Sequence, residues 1–245
     1  LERFAYHRAD AVTVLSDDLR HNVMAKVDPG FADHIHVITN FVDTEAIVPD
    51  ARDTAYRREL GIGSESVVLY AGNVGFSQSL DLVLAAARRC PEITFLINGD
   101  GAARAQLDQD AGGLAKVRFA GYQPVERLAE VLATGDVHVV PLRAGLGDVS
   151  VPSTTYSSLA AGRPVVASID LDSEIPRLLA ASGAGVAVPP DDIDAFVDAV
   201  RELTADPERA RRMGRSGREW VVAEASPAAV GAAYDQLVLE LVTDR

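Results

Sequence analysis

Gly147-Asp148-Val149-Ser150-Val151-Pro152-Ser153-Thr154-Thr155-Tyr156-Ser157-Ser158-Leu159-Ala160-Ala161-Gly162-Arg163-Pro164-Val165-Val166-Ala167 is the stretch that decides the fold. It reads as a polar loop, a short helix and a buried strand. Ser153 is placed to cap the helix, with Thr154 and Thr155 in its first turn. Gly162 is placed to end it, and Pro164 prevents its continuing. A helix start offers unpaired N–H groups and a partial positive charge, which suit a phosphate. The same residues also serve as plain caps that bind nothing, so the position of the segment in the fold has to decide.

Working outward, strand-like runs alternate with amphipathic helices. The strands are expected at Val67–Ala71, Ile93–Ile97, Val117–Ala120, Val137–Pro141, Val165–Ala167 and Gly185–Val188. Most are nearly continuous apolar runs, as parallel strands covered on both faces require. Between them lie helical stripes through Leu80, Val83, Leu84 and Ala87, through Leu128, Val131 and Leu132, and through Ile193, Phe196, Val197, Val200 and Leu203. This order predicts an α/β, Rossmann-like, doubly wound parallel sheet with helices on both faces. Residues 1–40 hold two short strands and a helix capped by Ser16, too little for a domain, and are expected to be the tail of a preceding one. Residues 41–60 form a connector, 61–225 the main domain, and 226–245 a final helix with Val230, Tyr234, Leu237 and Leu241 on one face. The chain begins at Leu1 rather than Met and is expected to be part of a longer protein.

The 245 residues suffice for one large domain, and the 48% hydrophobic content argues against disorder. A formal net charge of −13 argues against general nucleic-acid binding and against a polybasic membrane surface. No apolar run is long enough to span a bilayer, and the first residues do not resemble a secretory leader. The lone Cys90 excludes an intramolecular disulfide and a cysteine metal cluster, and fits a cytoplasmic protein. No metal or other cofactor is expected.

In an open parallel sheet a ligand binds at the carboxyl ends of the strands, where strand order reverses. For the common order this crevice lies between the first and fourth strands. The loops there are Gly72-Asn73-Val74-Gly75 and residues 142–151, both polar and glycine-bearing. Two such loops at one crevice point to a ligand site. The G-x-G-x-x-G fingerprint, the P-loop lysine, H-E-x-x-H and G-x-S-x-G are all absent. His138 lies within an apolar strand and is expected to be structural.

Several segments resemble the C-terminal half of retaining, family-four glycosyltransferases of the two-domain GT-B fold. They include Leu69–Gly75 with Gln78 and Leu80, Asn98-Gly99-Asp100-Gly101, and Phe119–Tyr122. The most specific are Val151-Pro152-Ser153 and Leu159–Val165, and the likeness is to a bacterial surface-polysaccharide branch. Ala9–Ser16 and Val37–Asp43 resemble the end of the acceptor domain and its hinge. The resemblance covers almost the whole chain. It implies binding of a nucleotide-diphosphate sugar, UDP-linked, for hexosyl or N-acetylhexosaminyl transfer to a glycan or lipid-linked acceptor, in a protein that is cytoplasmic or peripheral at the inner membrane face. The last helix would cross back to the acceptor domain, and the chain alone would be inactive. By position, Gly72, Asn73, Val74, Gly75 and Gln78 would line the diphosphate, and Gly121 and Tyr122 would lie near the base. Asp148, Val149, Ser150, Val151, Pro152, Ser153, Thr154 and Thr155 would face the sugar and phosphates, and Ser157 stands where a glutamate often binds the ribose.

The chain also departs from that pattern. Asn73 and Gln78 stand where many relatives have Arg and Lys, Thr154 where the bacterial branch has Lys, and Val149 and Ser157 where the wider family has glutamates. Arg143 and Arg163 are the nearest replacement cations in the sequence, and Arg163 fits equally well as a solvated charge at a helix end. No catalytic residue is identified. The alternatives are a non-catalytic module of the same fold and a sugar-nucleotide epimerase, whose acid–base carboxylates have no evident counterpart.

Overall fold

In the computed structural model, which describes residues 2–243, the N-terminal segment comprises α1 (Glu2–Tyr6), β1 (Val12–Val14), α2 (Asp17–Met24) and β2 (Ile35–Val37). The two strands pair in parallel, Val12 opposite Ile35. Ser16 caps α2 by accepting the Leu19 N–H at 3.2 Å. Val23, Val27 and Ile35 close a small core of their own.

The main unit continues through α3 (Ala55–Glu59), β3 (Val67–Ala71), α4 (Leu80–Arg89), β4 (Thr94–Asn98), α5 (Arg104–Asp110), β5 (Val117–Ala120) and α6 (Leu128–Thr134). It is completed by β6 (Val137–Pro141), α7 (Thr154–Ala160), β7 (Val165–Ser168), α8 (Glu174–Ser182), β8 (Gly185–Val188), α9 (Ile193–Ala205), α10 (Pro207–Glu224) and α11 (Pro227–Thr243). The six strands from β3 to β8 form one parallel sheet in the order β5-β4-β3-β6-β7-β8. This is the Rossmann-like sheet expected from the alternating pattern.

The continuous apolar strands split residue by residue between two cores, because successive side chains point to opposite faces. Val67 and Leu69 join Leu96, Val140, Val165 and Ala167 beneath α3, α6, α7, α8 and α10. Val68 and Tyr70 join Phe95, Ile97, Val139 and Val166 beneath α4, α5 and α9. Leu69, Phe95 and Leu96 are fully buried. Truncating one of them to Ala costs about 2–5 kcal/mol, the lost transfer energy plus the cavity left behind.

The segment after residue 193 holds a break that the apolar stripes do not announce. Asp206 accepts the Arg209 N–H at 2.9 Å and Pro207 sits at the first helical position, so α10 starts anew immediately after α9. α11 begins after Ser226, whose hydroxyl accepts the Ala229 N–H. Its Val230 and Leu237 pack on Ile38, beside the N-terminal segment.

Candidate functional site

Numbered within the sheet, the strand order is 3-2-1-4-5-6, and it reverses between β3 and β6. The loops at their carboxyl ends, 72–79 and 142–153, meet there. Arg143 donates its backbone N–H to Ser77 O at 3.0 Å and its Nε to Phe76 O at 2.9 Å. A β-carbon on Gly72 would stand 3.0 Å from Thr154 Cγ2, so the first loop lies directly against the start of α7. Between the loops is a cavity of about 170 Å³. Tyr70, Asn73 and Gln78 line one side of it, and Ser150, Pro152, Ser153 and Thr154 the other.

On the first side three backbone donors are committed to the protein. Gly72 N–H donates to Asn98 O and Val74 N–H to Asp100 O, while Gly75 N–H donates to Gln78 Oε1 at 3.1 Å. Val74 is fully buried. Tyr70 donates its hydroxyl to Asn73 O at 2.5 Å and so holds the turn. Burial pushes this phenol well above its usual pKa. The cavity-lining donors that make no hydrogen bond among the described residues are the backbone N–H groups and the side-chain amide nitrogens of Asn73 and Gln78.

On the second side the structure corrects the expected cap. Ser153 has helical dihedrals, φ −63° and ψ −23°, and its side chain caps nothing. The turn closes through carbonyls instead. Pro152 O accepts Thr155 N–H, and Ser153 O accepts the N–H groups of Tyr156 and Ser157. Among the described residues no hydrogen bond engages the N–H groups of Ser153 and Thr154. The far end of α7 is as expected. Gly162 has φ +67°, its N–H donates to Leu159 O at 2.9 Å, and Arg163 N–H donates to Ser158 O at 3.1 Å.

The other predicted positions are spread around this cavity. Gly75 and Arg143 line a neighbouring hollow of about 120 Å³ that shares Gln78. Asp148 lines a hollow of about 310 Å³ with Asp18, Asp170 and Asp172. There the Asp170 carboxylate accepts the N–H groups of Gly145 and Gly147 at 2.9 Å and shapes the loop. Val149 is exposed beside it. Thr155 is fully buried with its hydroxyl unpaired, and neither it nor the half-buried Ser157 lines the cavity. Gly121 and Tyr122 follow edge strand β5, where the exposed Tyr122 donates its hydroxyl to Asp100 O at 3.2 Å.

Neither replacement cation stands free in the cleft. Arg143 pairs with Asp81 at 3.0 Å. Arg163 lies at the amino end of β7, where it donates to Asp50 O at 2.8 Å and Ala133 O at 2.7 Å. It is half-buried there rather than solvated. The lining residues outside the loops singled out in the sequence are Tyr70, Val140 and Pro141. A polar tip at the carboxyl end of an otherwise apolar strand was the available signal for Tyr70.

A model of the family described as glycosyl transferases group 1 matches residues 65–206, more than half of the chain. The chain belongs to the glycosyl transferases group 1. Among curated relatives it is 28% identical over 215 residues to the putative colanic acid biosynthesis glycosyl transferase WcaI of Escherichia coli K12, covering 84% of this chain and 52% of the relative. It is 31% identical over 225 residues to a GDP-mannose-dependent alpha-(1-6)-phosphatidylinositol monomannoside mannosyltransferase of Mycolicibacterium smegmatis, covering 87% and 58%. This group 1 chain thus spans little more than half the length of these relatives. Anabaena Alr3699/HepE, solved in complex with UDP and glucose, shares its fold at a TM-score of 0.83 and 16% identity, over 96% of this chain and 64% of that one.

Proposed function

We propose that this group 1 chain is the donor-binding half of a retaining glycosyltransferase that uses a UDP-linked hexose or N-acetylhexosamine. One observation carries the proposal. The cavity at the β3–β6 switch is lined by the unbonded amide nitrogens of Asn73 and Gln78 and by the start of α7, with the open N–H groups of Ser153 and Thr154. A diphosphate placed there would accept these donors as the bond to the anomeric carbon breaks and charge grows on the leaving oxygen. The sugar would extend toward Asp148 and Val149, and the base toward Gly121 and Tyr122. The proposal calls for no metal ion. The UDP and UDP-sugar bound by HepE and the colanic acid role in the name of WcaI support a nucleotide sugar and a surface-polysaccharide setting.

In this reading the acceptor, a glycan or a lipid-linked glycan, is held by residues outside this chain, so the chain binds donor without transferring it. Orientation and water exclusion need both sides of the cleft. No helix of the described residues is long and apolar enough to cross a membrane. The reading places the protein in the cytoplasm, peripheral at the inner membrane face.

The bond between Arg143 and Asp81 favours a second reading, in which the module keeps the architecture and has lost its donor. Calorimetric titration with UDP, GDP and ADP decides between them. Saturable binding of UDP at millimolar affinity or tighter is expected. GDP or ADP in its place would correct the base and keep the site, and no heat from any of the three would sink the donor reading.

A further inference from the structure

Tyr156 is fully buried on α7, yet its hydroxyl finds its partner outside the main sheet and its helices. It lies 2.8 Å from Thr39 Oγ1, on the connector that follows β2. A buried phenol needs a partner, so Phe would serve here if packing were the only demand. The other end of α7 is tied to the same connector. Arg218 on α10 donates Nη1 to Ala160 O at 2.9 Å and Ile47 O at 2.7 Å, and Nη2 to Thr44 O at 2.7 Å. Val42 N–H donates to Ala225 O and extends the seam.

The connector from Thr39 to Ile47 is therefore bonded to α7 near both of its ends. The first turn of α7 lines the donor cleft through Thr154. A close-packed helix moves as a body, so what shifts one end shifts the other. We propose that Tyr156 is a positioning residue, through which occupation of the cleft sets the connector between the N-terminal segment and the main sheet. The proposal rests on the donor-cleft reading above.

A reporter is built in. Trp220, the single tryptophan of the chain, has its ring 6.3 Å from that of Tyr156. The test is amide hydrogen exchange over residues 38–47 of the full chain, with and without saturating UDP. UDP affinity is measured by calorimetry and Trp220 emission is recorded in parallel. Wild type should show connector exchange slowed by UDP about threefold or more, with a shift in Trp220 emission. Tyr156→Phe and Thr39→Val should bind UDP within about twofold of wild type, with the UDP effect on the connector gone.

Thr39→Val removes the same bond from the half-buried side, and decides the question if Tyr156→Phe does not fold. A merely structural tyrosine would speed exchange by the same factor with and without UDP, and that result overturns the proposal. UDP heat from wild type with an unchanged connector overturns the coupling and leaves the donor reading standing. No heat from UDP, GDP or ADP overturns both, and where GDP or ADP binds in place of UDP the same test is run with that nucleotide.

Discussion

His138 Nδ1 lies 2.8 Å from the Ser158 hydroxyl, inside the sheet and closed from solvent. On its other side Nε2 lies 2.9 Å from Leu132 O. A carbonyl can only accept, so Nε2 carries the proton, and in the neutral ring Nδ1 is an acceptor that shares the single Ser158 hydroxyl proton with Thr154 O, 2.9 Å from that hydroxyl. The histidine is a structural bridge between β6 and α7, as its apolar strand implied. Burial, and secondarily the Arg163 charge, lower its pKa from 6.5 to about 3.

The sign of the pH effect follows. Between pH 6.5 and about 3 the unfolded chain binds a proton at His138 that the folded chain refuses, so stability falls as pH falls through that window. From pH 7 to pH 5 this single group should remove about 2 kcal/mol. Urea denaturation at the two pH values checks it. His138→Gln should flatten the wild-type slope by that amount, and an unchanged slope would refute the neutral, buried imidazole.

Gly99 sits at φ +152°, and a β-carbon there would fall 1.8 Å from Gly72 O. That carbonyl belongs to the first cleft loop, whose Gly72 N–H donates to Asn98 O. Gly99→Ala must therefore drive the two loops apart. It is expected to cost about 3 kcal/mol or more by urea denaturation and to abolish nucleotide binding. Ordinary stability in this variant would mean that β3 and β4 do not approach so closely.

Thr154 is half-buried at the cleft, beside the open N–H groups that begin α7. On a chain with a net charge of −13, a cation here meets a diphosphate that little else neutralises. Thr154→Lys should raise UDP affinity about tenfold at low salt, with the gain shrinking as salt is added. Thr154→Gln, long but uncharged, should show no such gain. Equal affinity for Lys and Gln by calorimetry would indicate that position 154 does not face the phosphates.

The strands were legible in the sequence because burial on both faces leaves an apolar run with no competing period. Val67–Ala71, Val117–Ala120, Val137–Pro141 and Gly185–Val188 stand at the residues expected. The alternation of strand and helix also implied the sheet order, and with it the crevice between β3 and β6. Ser153 was not legible. Cap preference is a local rule, whereas its backbone is set by how loop 142–153 docks on loop 72–79. Arg143 was not legible either, since its carboxylate Asp81 stands 62 residues away and reaches it only through the sheet.

Arg163 shows the same limit most plainly. In sequence it follows the cleft-lining residues closely, but the seven-residue helix between them rises about 10 Å. That rise carries Arg163 to the amino end of β7, away from the cleft. The sequence by itself determined the elements, their order and the end of the sheet at which a ligand binds, because these follow from local periodicity and connectivity. Only the tertiary structure decided which donors remain open and which charges are already paired, because long-range packing sets both.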